Sequence, residues 1–88
     1  MYKILYTKVA FKHIERLKQS KLAPKAKALI EIIKEDPYKI PPPYEKLLGD
    51  LEGKCSRRIN IHHRLVYEVF EDIKTIKILS MWTHYEAL

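Results

Sequence analysis

The sequence predicts a single α+β domain, spanning residues 1–88, with an N-terminal strand and two antiparallel helices before a three-stranded antiparallel run that completes one sheet. At 88 residues the chain has room for one modest core. Apolar residues recur at helical spacing in its first half, whereas β-branched and aromatic residues dominate after Lys54. These observations together predict the order strand, helix, helix and three strands.

The first half predicts one strand and two helices. Residues 2–6 favour a short strand, and Thr7 after it is a suitable helix N-cap. The first helix should end near Ser20. The second should carry Pro24 in its first turn and end at Asp36-Pro37. The apolar residues of each helix recur at spacings of three and four. They are Ala10, Phe11, Ile14 and Leu17 in the first helix, and Leu22, Ala26, Leu29, Ile30 and Ile33 in the second.

The second half predicts an ordered connection and then the three strands. Residues 37–53 contain too many prolines and glycines for continuous regular structure. The strands should cover roughly residues 55–61, 64–70 and 73–82, with a hairpin turn at Glu71-Asp72. Alternation should then separate the faces. Arg64, Val66, Glu68 and Phe70 share one face of their strand, and Ile76, Ile78, Ser80 and Trp82 share one face of the next.

The composition predicts a soluble cytoplasmic protein that attracts a polyanion. Seventeen Lys and Arg against eleven Asp and Glu give a net charge of +6, so nucleic acid is the first partner to consider, although charge alone also serves solubility. A single cysteine, Cys55, excludes an internal disulfide. The sequence contains no signal-peptide pattern and no apolar run of about 20 residues, so we expect neither export nor membrane insertion.

Several polar residues from separate elements could form one site. A carboxylate, guanidinium groups and an imidazole are sufficient for metal-free cleavage of an RNA phosphodiester, because a base, an acid and fixed positive charge are the three requirements. Histidine suits the acid, and the planar fork of arginine suits the phosphate. The candidates are Glu45, Arg57, Arg58, Arg64, His84 and Tyr85.

Each candidate also has a simpler explanation. Glu45 could be a solvated surface acid, and the two adjacent arginines could discourage pairing at a sheet edge. His62-His63 is a poor metal pair because neighbouring strand residues point to opposite faces, so we expect no metal and no other cofactor. We interpret Cys55 as structural and His13 as solvated.

Five segments of the second half resemble the YoeB (Txe) branch of the RelE/ParE toxin superfamily. The resemblance is close over residues 44–85 and is limited to helix pattern and length over residues 1–43. The segments are Glu45-Lys46-Leu47, Leu51-Glu52-Gly53, Ser56-Arg57-Arg58-Ile59, His63-Arg64-Leu65-Val66-Tyr67 and His84-Tyr85.

The resemblance implies a RelE/YoeB-like fold and a toxin of a toxin–antitoxin pair. Such a toxin is a ribosome-dependent mRNA endoribonuclease that cuts the codon in the A site. By this resemblance Glu45 is the general base, His84 the general acid, Arg64 the phosphate stabiliser and Tyr85 a substrate-positioning residue. Three further residues would be RNA-binding cations: Lys46, Arg57 and Arg58.

The resemblance also implies partners and leaves alternatives open. The partners would be a YefM-like antitoxin, mRNA and ribosomal RNA, and the family includes homodimers. Where relatives carry a basic residue after Leu47, this chain has Leu48-Gly49, so Lys46 either replaces that contact or the contact is lost. The tail, residues 86–88, adds an acid beside the site. The alternatives are a ParE-like inhibitor of a topoisomerase and a non-catalytic RNA-binding module.

One geometric expectation follows for the end of the chain. Strict alternation would send His84 and Tyr85 to opposite faces of a strand. For both side chains to reach one phosphate beside Glu45 and Arg64, the backbone must bend after Trp82.

Overall fold

The computed structural model describes residues 1–82, which form two helices beside one mixed sheet. The helices are α1 (Lys8–Gln19) and α2 (Ala23–Glu35). The strands are β1 (Lys3–Tyr6), β2 (Glu45–Lys46), β3 (Lys54–Arg58), β4 (Arg64–Phe70) and β5 (Thr75–Ser80).

The helix boundaries follow the signals in the sequence. The Thr7 hydroxyl accepts a hydrogen bond from the amide of Ala10 at 3.0 Å, which satisfies one free donor at the start of α1. Pro24 lies in the first turn of α2, where its missing N–H is harmless. Within residues 1–82, neither helix has the length and apolarity that a membrane crossing requires.

The five strands lie in the order β1-β5-β4-β3-β2. The N-terminal strand pairs in parallel with β5, whereas β5, β4, β3 and β2 are antiparallel neighbours. The predicted fold class is therefore confirmed. The short strand β2, inside the proline-rich connection, was not predicted.

The helices cover one face of this sheet. Leu65 and Tyr67 of β4 and Ile76 and Ile78 of β5 are fully buried on that face. They pack with helix residues in the main core cluster, which also contains Ala10, Leu17, Ala26, Leu29, Ile33, Cys55, Ile59 and Met81. Ser56, Arg58, Arg64 and Val66 therefore belong to the other face, which we call the open face because no described helix packs on it.

The turn between β3 and β4 begins earlier than the sequence predicts. β3 ends at Arg58 instead of residue 61, because the side chain of Asn60 accepts hydrogen bonds from the amides of His62 and His63 at 2.8 and 2.7 Å. Asparagine commonly forms turns in this way, by bonding backbone groups two or three residues later. This turn aligns Arg58 opposite Arg64.

The last strand is shorter and less regular than predicted. It covers Thr75–Ser80, and its register with β4 shifts between Val66 and Tyr67. Ser80 consequently pairs with Val66, while Ile78 pairs with Tyr67. The prediction that Ile78 and Ser80 share a face is wrong, because one extra residue in a strand reverses the alternation beyond it.

Candidate active site

A small cleft opens where β2, β3 and β4 meet on the open face. Its volume is about 150 Å³. It is lined by one carboxylate, two guanidinium groups, a serine hydroxyl, a tyrosine side chain and two prolines. The lining residues are Pro42, Pro43, Tyr44, Glu45, Ser56, Arg58 and Arg64. Three predicted site residues, Glu45, Arg58 and Arg64, thus line the same cleft.

Strand register explains why these side chains converge. Glu45 pairs with Ser56, and Arg58 pairs with Arg64. Directly opposed residues project from the same face of a sheet, and Ser56 and Arg58 are two positions apart on β3. Glu45 is therefore a diagonal neighbour of Arg58. The backbones of such neighbours are about 7–8 Å apart, a distance that long side chains can span.

The charge in the cleft favours a phosphate. Two guanidinium groups directly opposite each other repel, and a single carboxylate leaves the site with an excess of positive charge. In residues 1–82 no carboxylate forms an ion pair with Arg58 or Arg64. An anion bound between the two arginines would relieve their repulsion and could accept hydrogen bonds from both planar forks.

Arg57 does not occupy the position expected of an RNA contact. Its side chain is 1% exposed, and it points to the opposite side of β3 from Arg58. The guanidinium donates hydrogen bonds to the hydroxyl of Tyr67 and to the carbonyls of Pro37, Lys39 and Pro42. The side chain that was predicted to contact RNA is therefore buried in this structure, with its donors engaged inside the protein.

Three further candidate residues are not part of the cleft as the structure describes it. Lys46 pairs with Cys55, hence on the other side of β2 from Glu45, and its Nζ lies 6.0 Å from the ring centroid of Tyr38. It does not line the cleft. His84 and Tyr85, and with them the predicted bend after Trp82, lie outside the described residues.

The backbone that leads toward His84 is anchored beside this site. The carbonyl of Trp82 accepts a hydrogen bond from the amide of Arg64 at 2.8 Å. The Trp82 ring stacks on His63 with centroids 4.2 Å apart, and the guanidinium of Arg16 lies 5.9 Å from it. Trp82, the last described residue, therefore lies next to Arg64, the first residue of β4.

His13 also anchors this segment, although the sequence suggested a solvated residue. Its Nδ1 accepts a hydrogen bond from the amide of Met81 at 3.1 Å. Burial, followed by the nearby charge of Arg16, lowers the pKa of His13 below its usual value. Both effects favour the neutral imidazole that this hydrogen bond requires. No sequence signal distinguishes such a histidine from a solvated one on the same helix.

Ser56 is a cleft residue that sequence reasoning missed. Its side chain is 5% exposed, and the hydroxyl has no hydrogen-bond partner among residues 1–82. A buried hydroxyl generally needs a partner, so a ligand in the cleft could supply one. The signal available was its position two residues before Arg58, which fixes both on one face.

The remaining reactive groups have structural surroundings. Cys55 is buried in the core cluster, and burial raises the pKa of its thiol, which disfavours the nucleophilic thiolate. Across residues 1–82, no three His, Cys, Asp or Glu side chains gather as ligands for a metal ion.

The fold and this cleft define a class of small bacterial toxins. The model of the YoeB-like toxin of bacterial type II toxin–antitoxin systems matches residues 6–85. The chain therefore belongs to the YoeB-like toxin family. A curated relative, Toxin YoeB of Synechocystis sp., is 34% identical over 86 residues, which cover 96% of this chain and 98% of the relative.

Solved structures agree with this assignment. The YoeB/ParE toxin from Agrobacterium tumefaciens superposes with a TM-score of 0.86 at 28% identity, over 94% of this chain and 99% of that one. The toxin in the YoeB-YefM complex from Staphylococcus aureus gives 0.80 at 34% identity, over 97% and 99%. A YoeB dimer from the same organism gives 0.79 at 35% identity, over 96% and 98%.

Proposed function

We propose that this toxin is a ribosome-dependent mRNA endoribonuclease that cuts mRNA in the A site and thereby stops translation in the cytoplasm. The observation that supports this most is the cleft that Glu45 shares with Arg58 and Arg64. A carboxylate beside two cations fits the attack of a 2′-hydroxyl on its own phosphate, a reaction that only RNA can undergo.

In the proposed reaction, Glu45 takes the proton from the 2′-hydroxyl as that oxygen attacks phosphorus. The bond from phosphorus to the 5′ oxygen breaks, and a 2′,3′-cyclic phosphate remains on the upstream fragment. His84 donates the proton that the departing 5′ oxygen needs. Arg58 and Arg64 bind the non-bridging oxygens, where negative charge increases in the transition state, and Tyr85 positions the substrate.

The cognate partner in this proposal is a YefM-like antitoxin that blocks the cleft. Support comes from the Staphylococcus aureus relative, whose structure is a YoeB-YefM complex. The net charge of +6 would attract both an acidic antitoxin segment and RNA. The YoeB dimer of that organism makes a homodimer a state to measure here as well.

The test is primer extension on mRNA in a purified translation system. We expect wild-type protein to give a cut within the A-site codon, and Glu45→Gln to lower the single-turnover rate by about 10²- to 10⁴-fold without a comparable loss of ribosome binding. Glu52→Gln is the matched control, because Glu52 is exposed and does not line the cleft.

The alternatives predict different results in the same assay. A ParE-like topoisomerase inhibitor or a non-catalytic RNA-binding module would leave mRNA intact on every programmed ribosome. A 2′-deoxynucleotide placed 5′ to the scissile phosphate should abolish cleavage. Persistent cleavage of that substrate would exclude attack by the 2′-hydroxyl.

A further inference from the structure

The buried guanidinium group of Arg57 binds the first part of the proline-rich connection, residues 37–42. Its Nη2 donates to the carbonyls of Pro37 and Lys39, both at 3.0 Å, and its Nη1 donates to the carbonyl of Pro42 at 2.6 Å. Its Nε donates to the hydroxyl of Tyr67 at 3.0 Å. Four of the five N–H groups of the guanidinium are thus engaged, three of them with backbone between Pro37 and Pro42.

Tyr67 completes this junction. Its hydroxyl accepts from Arg57 and donates to the carbonyl of Pro37 at 2.7 Å. Burial raises the pKa of Tyr67 to about 12, so the phenol keeps the proton that this second bond needs. In residues 1–82 no carboxylate pairs with Arg57, and the carbonyl dipoles are what balance its buried charge.

This junction lies directly before the residues of the cleft. Pro42 lines the cleft, and the ring of Tyr44 lies 4.9 Å from the guanidinium carbon of Arg57. Glu45 follows immediately, in a strand of only two exposed residues. So short an edge strand has little packing of its own, and the conformation of the connection determines where its carboxylate lies.

We propose that Arg57 is a positioning residue that fixes the Pro37–Tyr44 connection and thereby holds Glu45 in the cleft that Arg58 and Arg64 also line. This role rests on the proposed function, in which Glu45 is the base. Two adjacent residues of β3 then have different roles. Arg58 contacts the phosphate on the open face, while Arg57 positions the cleft residues from the buried face.

Arg57→Lys is the informative variant, because it keeps the charge but replaces the fork with a single ammonium group. One ammonium cannot reach three carbonyls and a hydroxyl that are held from different directions. Tyr67→Phe is the second variant, since it removes only the hydroxyl that bridges Arg57 and Pro37. It tests the same junction should Arg57→Lys fail to fold.

The first measurement is native-state hydrogen exchange, which needs no activity. The amides of Lys39 and Leu47 are hydrogen-bonded on either side of the connection and β2, to the carbonyls of Asp36 and Lys54. We expect both to exchange about 10-fold faster or more in Arg57→Lys, with the Thr7 amide, bonded to Ile78, unchanged. Arg58→Lys is the matched control for this exchange and should leave all three amides as they are.

The second measurement is a double-substitution cycle on the single-turnover rate. Arg57→Lys alone should slow cleavage about 10- to 100-fold at saturating ribosomes, with the half-saturating concentration unchanged. In a Glu45→Gln background the same substitution should cost less than about 3-fold, because a residue acting through Glu45 has nothing left to position.

The outcomes separate this inference from the proposed function. Exchange that accelerates evenly over the whole protein, or rate effects that multiply in the double variant, would overturn the positioning role. A Glu45→Gln variant that cuts at the wild-type rate would instead refute Glu45 as the base. Faster exchange confined to Lys39 and Leu47 would still establish that Arg57 holds the connection.

Discussion

The tripeptide Ser56-Arg57-Arg58 shows how one residue step along a strand separates two kinds of arginine. Arg58 lies on the open face directly opposite Arg64, while Arg57 turns into the protein and binds backbone carbonyls. The opposed pair costs stability, about 0.2–1 kcal/mol for like charges at such positions. An anion bound between the two arginines, as in the proposed function, would offset this cost.

A first prediction concerns this repulsion. Arg58→Gln removes one of the opposed charges, and we expect it to raise the free energy of unfolding at low ionic strength by about 0.5 kcal/mol. Arg58→Lys keeps the charge and should not. Added salt should shrink the difference because it screens exposed charges. Denaturant unfolding at low and high salt checks this, and a less stable Arg58→Gln would mean that this guanidinium forms a stabilising contact.

Three of the residues that the sequence suggested for one site lie together in the structure, and Arg57 lies apart from them. Glu45, Arg58 and Arg64 were predicted as site residues and do share the cleft. Arg57 was placed with them because nothing in a basic pair tells which member faces inward. Which arginine faces inward depends on where the tertiary fold places the backbone carbonyls of residues 37–42.

Among the secondary-structure elements, the end of β5 departs most from the alternation of side chains that its sequence predicts. The register shift beside Val66 turns Ser80 to the open face and lets Met81 enter the core cluster. Alternation in the sequence cannot reveal such a bulge, since both faces of this segment are apolar. The two-residue strand β2 was equally hidden, because pairing with β3 defines it more than its own composition.

The contact between α1 and the end of β5 gives a prediction about pH. The pKa of His13 is lowered in the folded protein, so its contribution to stability is full above the unfolded value of about 6.5. This contribution to stability is lost as the pH falls below the unfolded pKa and through the lowered pKa of the folded protein. Protonation of Nδ1 removes the acceptor of the Met81 amide, a bond worth about 1 kcal/mol.

Denaturant unfolding between pH 7 and pH 5 tests this contribution. His13→Asn places a non-titrating amide oxygen near the position of Nδ1, so this variant should lose less stability on acidification than the wild type. His62→Asn is the matched control, because His62 is exposed. Equal pH profiles for wild type and His13→Asn would contradict a half-buried, neutral His13.

For the whole molecule, either the net charge or its placement could drive the proposed association with RNA. The net charge of +6 gives a general attraction, whereas Arg58 and Arg64 concentrate charge in one cleft on the open face. Each phosphate contact releases counterions and steepens the dependence of binding on salt. For two to three such contacts, we expect the half-saturating toxin concentration on programmed ribosomes to rise about 10- to 30-fold between 50 and 200 mM monovalent salt at constant Mg²⁺.

Two variants of equal net charge separate the explanations. Arg58→Gln removes one of the phosphate contacts of the proposed function and should lower the slope of log affinity against log salt by about one. Lys25→Gln removes the same charge from an exposed position on α2, on the helix side of the sheet, and should leave the slope nearly unchanged. The wild-type rate at saturation should vary little with salt, because the groups within the cleft act on bound substrate. Equal slopes for the two variants would mean that overall charge, and not the arginine pair, governs the encounter with the ribosome.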